Sequence, residues 1–180
     1  FEIKNSESLL GIGDDSAMIE SSKLNTLVSK DLLVEGIHFD LSYTPLMHLG
    51  YKSVIVNLSD IYAMNGIPKQ IVVGIAISNR FKVDSIQELY KGIRLACEKY
   101  MIDLVGGDTT TSQSGLTISI TVLGQVKKER VVKRSGAKKN DLIVVTGDLG
   151  AAYLGLQILK REKEIFLDNP DVQPKLEGYD

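Results

Sequence analysis

Four short acidic motifs hold the residues best suited to chemistry. They are Gly11-Ile-Gly-Asp-Asp-Ser16, Ser29-Lys30-Asp31, Asn57-Leu-Ser-Asp60 and Gly106-Gly107-Asp108-Thr109-Thr110. Their side chains offer carboxylate, hydroxyl and amide oxygens, with almost no sulfur or imidazole. That is the ligand chemistry of magnesium, calcium or manganese. Magnesium keeps several waters and binds through one or two carboxylates plus substrate phosphates. Several aspartates around one space therefore point to ions that bridge a nucleotide triphosphate. No EF-hand loop is present, which speaks against a dedicated calcium module. The glycine motif at 106–107 lacks the Gly-Lys-Ser/Thr of a Walker loop.

Each motif also has a plainer reading. Asp14 and Asp15 are neighbours, and in an extended segment adjacent side chains point to opposite faces. One faces a site while the other braces the loop; a simple Asx turn is the alternative. Ser29 to Asp31 sits at the end of an apolar strand, where ligand groups are common, but a solvated strand end would look the same. Asn57 and Asp60 share one face of a helix otherwise made of Val54, Ile55, Val56, Leu58 and Ile61. A carboxylate there needs a cation or satisfied hydrogen bonds. His38 either reads an anionic substrate group or is structural.

The elements that must position these groups follow from periodicity. Strands are expected over 13–20 and 26–30. A helix is expected over 45–65, ended by Asn65-Gly66 with Pro68 beyond. Gln70 to Ser78 alternates as a strand, and residues 84–100 carry apolar residues at helical spacing. An apolar run, Ile102 to Val105, leads into the glycines at 106–107. Leu116 to Gly124 alternates apolar residues with Thr117, Ser119 and Thr121. A basic loop over 127–140 precedes a short buried strand, Leu142 to Thr146. A helix of about ten residues then ends near Lys160-Arg161. Residues from Asp168 on read as a loop. The pattern gives an α+β fold, an α/β sandwich in which a mixed sheet packs on helices.

The 180 residues are 43% hydrophobic and 24% charged, with net charge −2. A nucleic-acid binder would carry a basic surplus. The single cysteine, Cys97, forms no internal disulfide and no thiolate zinc site, which points to a reducing compartment, the cytoplasm by default. No apolar run is long enough for a membrane span. Phe1 at the start and the loop at the end predict a piece of a longer chain.

In order, Gly-Ile-Gly-Asp-Asp-Ser-Ala, Asp31-Leu-Leu-Val-Glu-Gly-Ile-His-Phe, Val56-Asn-Leu-Ser-Asp-Ile-Tyr-Ala-Met, Gly106-Gly-Asp-Thr-Thr and Val145-Thr-Gly-Asp-Leu-Gly-Ala-Ala resemble the thiamine-monophosphate kinase family. The resemblance runs through residues 9–160. That family sits in the aminoimidazole ribonucleotide synthetase-like group. The resemblance implies an N-terminal metal- and nucleotide-binding domain over 1–128 that dimerises through its sheet. Residues 129–180 would begin a C-terminal α+β domain. It implies ATP as co-substrate, thiamine monophosphate as acceptor and two or more magnesium ions. The chain alone would then be inactive, or a non-catalytic magnesium-nucleotide module.

Carried over by residue, Asp15, Ser29, Asp31, Asp60 and Asp108 fall on metal-ligand positions. Gly107, Asp108, Tyr90 and Arg134 fall on nucleotide contacts, and His38 on a substrate contact. Lys30 stands where the family usually has threonine. A ligand acting through its backbone carbonyl would be unaffected, whereas a hydroxyl ligand would be lost or replaced by the ammonium. No general base is implied, because the acceptor is already a phosphate oxygen. Another enzyme of the group is the rival reading. Selenophosphate synthetase would need a reactive cysteine near the start, and Cys97 in a helix does not fit.

Overall fold

The computed structural model describes residues 6–10, 14–21 and 23–171. The glycines of the first motif, Gly11 and Gly13, lie outside them, as does the end of the loop that follows Asp168. The chain divides into two compact units, Phe1–Gly136 and Ala137–Asp180.

The first unit is a six-stranded mixed sheet backed by two helices. In chain order it contains β1 (Ser8–Leu10), β2 (Ala17–Ile19), β3 (Asn25–Val34), α1 (Leu46–Ala63), β4 (Ile67–Ile77), α2 (Val83–Tyr100), β5 (Asp103–Thr111) and β6 (Leu116–Val126). The sheet order is β1-β2-β3-β6-β4-β5. All pairings are antiparallel except β4 with β5, which run parallel around the α2 crossover. The fold is α+β, as the alternation of patterns predicts.

β6 is the central strand. Leu116, Ile118, Ile120 and Val122 are buried toward the helices, and Thr117, Ser119 and Thr121 take the other face. Both neighbours keep register with it along nearly their whole length. Helix α1 starts after Pro45 and buries Leu49, Val54, Leu58 and Ile61 at helical spacing. It ends as Asn65 enters the left-handed region at φ 61°, and the Gly66 amide donates to the Ile61 carbonyl at 2.9 Å. Helix α2 lies against α1 through two glycines. A methyl group at Gly50 would stand 2.0 Å from the Leu89 carbonyl oxygen, and one at Gly92 would stand 1.8 Å from that of Met47. The helix backbones therefore cross in direct contact.

Several expectations are corrected. β3 continues to Val34, so Asp31 lies inside the strand and not at its end; Leu32, Leu33 and Val34 extend the pairing with β6. The first strand expected over 13–20 is only Ala17–Ile19, with a bridge at Asp14. The apolar run Ile102 to Val105 and the glycines after it belong mostly to one exposed edge strand, β5, whose register against β4 shifts just before Gly106. In the second unit, Leu142 to Thr146 forms no strand, and Leu142 and Ile143 are 90% and 95% exposed. No described strand pairs with this run, and apolar sequence without a partner makes no ladder. Helix α3 (Ala151–Asp168) is 18 residues long, well beyond Lys160-Arg161. No helix among the described residues is long and apolar enough to cross a membrane.

Candidate functional site

Ser29 and Asp31 lie between the buried Leu27 and Leu33 on the helix-facing side of β3. Helix α1 crosses there and presents Asn57 and Asp60. The Ser29 hydroxyl donates to Asp60 Oδ2 at 2.6 Å. The Asn57 side chain is fully buried. Its Oδ1 accepts from the Asp31 amide at 2.9 Å, and its Nδ2 donates to the Ser53 carbonyl at 2.9 Å. Asn57 therefore locks β3 to α1 at the position where the carboxylates meet.

The two aspartates of the first motif divide the labour as adjacent side chains must. Asp14 braces the loop: its Oδ1 accepts the Asp15 amide at 3.0 Å, and its carboxylate takes the Arg134 amide at 3.3 Å. Asp15 faces the Arg134 guanidinium, with Nε and Nη2 at 2.9 and 2.5 Å from Oδ1. The Arg134 guanidinium is pushed further toward its charged form by Asp15, and also by Asp14 and Asp60. Asp60 thus shares the electrostatic space of the Asp15–Arg134 pair. The Ser16 amide, 3.1 Å from Met64 Sδ, ties the same loop to the end of α1.

The Asp31 carboxyl is raised above its ordinary value, chiefly by burial and then by the charge of Asp60, while His38 pulls it back. A carboxyl disfavoured in its charged form by burial and by a neighbouring aspartate is a setting a cation relieves. His38 is exposed. Its Nδ1 accepts the Val34 amide at 3.0 Å, so the other ring nitrogen, Nε2, is the one that carries a proton.

Asp15, Ser29, Asp31, Asp60 and Arg134 are therefore drawn together, with His38 near Asp31. Among the described residues no three Asp, Glu, His or Cys side chains converge enough to hold an ion unaided. The donors do fit a hard cation that completes its shell with water and phosphate oxygens. Lys30 and Asp108 lie elsewhere. Lys30 alternates onto the opposite sheet face, where its Nζ donates to Ser119 Oγ at 2.6 Å. Asp108 is on β5, in register with Gly74.

Gly107, Asp108 and Tyr90 do meet each other. With Leu104 to Gly106 and Thr109 they line an open cleft of about 490 Å³ between α2 and the sheet edge. A side chain at Gly107 would collide with the Val73 carbonyl oxygen at 2.0 Å, so glycine is required. Burial pushes the Tyr90 phenol up, which keeps it protonated as a donor.

One pair escaped sequence reasoning. Glu35 makes an ion pair with Arg80, and its Oε2 accepts the Leu116 amide at 2.9 Å. Both residues line a second cleft with Asp40, Leu46 and Phe81. Glu35 beside His38 was the available signal, but its partner lies 45 residues away.

Comparisons with known proteins bear on the family and the fold. The chain is 38% identical over 161 residues to the thiamine-monophosphate kinase of Bacillus subtilis (strain 168), covering 89% of this chain and 50% of that protein. It is 37% identical over 153 residues to that of Aquifex aeolicus (strain VF5), covering 85% and 49%. The chain thus spans about half the length of the curated relatives it matches. Its fold is similar to the solved complex of AaThiL with AMPPCP and TMP, with TM-score 0.77 and 32% identity over 91% of this chain and 50% of that one. It is also similar to thiamine monophosphate kinase from Stenotrophomonas maltophilia K279a, with TM-score 0.73 and 32% identity over 88% and 49%. Residues 13–126 match the family described as AIR synthase related protein, N-terminal domain, and the chain belongs to that family.

Proposed function

We propose that this chain is the metal- and nucleotide-binding part of a thiamine-monophosphate kinase, which transfers the ATP γ-phosphoryl group to the phosphate of thiamine monophosphate. The observation that carries the reading is the meeting of Ser29, Asp31 and Asp60 across the β3–α1 contact, with Arg134 held over Asp15. Similarity to thiamine-monophosphate kinases over most of the chain supports it.

Asp15, Ser29, Asp31 and Asp60 would hold magnesium, which neutralises phosphate charge when bound. The acceptor is already an anionic oxygen, so this chain supplies no general base. Its work is alignment and charge placement. Arg134 is a planar donor suited to phosphate, and Asp15 pre-orients it. The cleft at Gly107 and Asp108 would take nucleotide, with Tyr90 as a hydroxyl donor. His38 Nε2 would donate to the acceptor phosphate. The site would work in a homodimer formed through the sheet, in the cytoplasm. Residues 1–128 would form the binding domain and 129–180 the start of the next.

The test is a coupled assay of the natural-length protein with ATP, magnesium and thiamine monophosphate. Thiamine diphosphate should form, and Asp60→Asn should lower kcat/KM by on the order of 10²-fold or more, with an unchanged circular dichroism spectrum. Full activity of the variant at saturating ATP would remove Asp60 from the mechanism.

A further inference from the structure

His38 sits on the loop 35–39, which leaves β3 on the way to α1. The loop's own backbone sets its shape. The Gly36 amide donates to the Phe39 carbonyl at 2.8 Å, and the Ile37 and His38 amides donate to the Val34 carbonyl at 3.2 and 2.9 Å. None of these bonds reaches beyond β3 and the loop itself. Phe39 is buried in the core and anchors the far end, while Gly36, Ile37 and His38 are exposed.

Glu35 anchors the near end. Its amide donates to the Leu116 carbonyl at 3.0 Å, and its Oε2 accepts the Leu116 amide at 2.9 Å. Its Oε1 takes the Arg80 guanidinium, so both carboxylate oxygens are committed. Arg80 is held in turn, stacked over the Phe81 ring at 4.8 Å. Gly115, at φ 71°, keeps the approach open: a Cβ there would stand 3.0 Å from Glu35 Oε2. From the helix side, Lys52 Nζ donates to the His38 carbonyl at 3.2 Å. The loop is thus gripped from the start of β6, from the turn before α2 and from α1.

The Arg80 side chain is 53% exposed, and an ion pair so open to solvent contributes little to stability. Its geometry matters more. A group displaced by about 1 Å can cost on the order of 10²-fold in rate, so a donor on an exposed loop needs neighbours that lock it. We infer that Glu35 and Arg80 are positioning residues, whose pair sets the tilt of the loop 35–39 and so the place from which His38 meets the acceptor phosphate. The role rests on the proposed reading, in which His38 Nε2 donates to that phosphate.

The experiment is steady-state kinetics of the natural-length protein, with thiamine monophosphate and ATP varied in turn. Arg80→Met removes the cation and leaves the Glu35–Leu116 bond in place. It should lower kcat/KM for thiamine monophosphate about tenfold, with the KM for ATP and the melting temperature unchanged. Arg80→Lys should fall between parent and Arg80→Met, because an ammonium restores the charge but not the planar stack on Phe81. In a His38→Ala background Arg80→Met should cost nothing further, since the donor it places is gone. A merely structural role would cost as much in both backgrounds, and that result would overturn the positioning. Parental kinetics in Arg80→Met beside an impaired His38→Ala would overturn it too, while leaving the kinase reading intact. A parent that forms no thiamine diphosphate would remove the reaction and this role together, so the two failures are told apart.

Discussion

Asp31 bears two demands at once. Its amide is locked to Asn57, while its carboxyl is held near Asp60 in a half-buried position. A carboxyl whose folded pKa is raised favours the native state fully below the unfolded value of 3.8. That contribution is lost as pH rises through the folded value, so at neutral pH the ionised Asp31 opposes folding. Asp31→Asn should therefore raise the melting temperature of the metal-free protein at pH 7, and the gain should shrink as pH falls toward 4. The variant should lose the stabilisation by magnesium that the parent gains. Thermal melts in EDTA and in magnesium chloride check both; a variant less stable than its parent at pH 7 would contradict the electrostatic account. Much of this was legible beforehand. The adjacent pair at Asp14 and Asp15 predicts one brace and one facing group, and that is how the two carboxylates divide. The Ser29–Asp60 bond was not legible, because it joins residues brought together only when α1 folds back over β3.

At the scale of elements, the close crossing of α1 and α2 fixes where Asn57 and Asp60 stand. Gly50 and Gly92 allow it by removing the atoms that would meet opposing carbonyl oxygens. Gly50→Ala and Gly92→Ala should each cost about 3 kcal/mol or more, because backbone must move. Urea unfolding should show the loss, and a change within 0.5 kcal/mol would mean that the crossing is softer than its geometry. Both helices and β6 were readable from the spacing of their apolar residues. β5 was harder. Nine exposed residues with paired glycines resemble a loop, and only pairing with β4 makes them a strand. Leu142 to Val145 misleads in the other direction, since an apolar run looks buried until the lack of a partner strand among the described residues is known. Helix α3 outruns its basic stop signal because Glu162, Lys163, Glu164 and Ile165 keep good helix propensity after Arg161.

For the molecule as a whole, the proposed reading makes the first unit the metal- and nucleotide-binding part of a larger enzyme. The chain covers about half of its relatives. By itself it should bind magnesium-nucleotide without turning it over. A non-hydrolysable ATP analogue should raise its melting temperature with magnesium and not with EDTA, while no thiamine diphosphate forms. Stabilisation that is indifferent to magnesium would detach nucleotide binding from the aspartates. The mixed sheet, its helical cover and the α+β class all followed from sequence, because long alternating segments leave few arrangements. Strand order did not, since β6 enters the middle of the sheet from the far end of the unit.

That insertion governs how the protein is made. Residues 25–34 pair with 117–126, and 67–77 with the same strand from its other side. During synthesis β3 and β4 leave the ribosome before the strand that pairs with both, so any sheet built on either would keep a bare edge until β6 emerges. The nascent chain is exposed to edge-to-edge aggregation throughout that interval, and a pause in translation before residue 116 should prolong its dependence on chaperones.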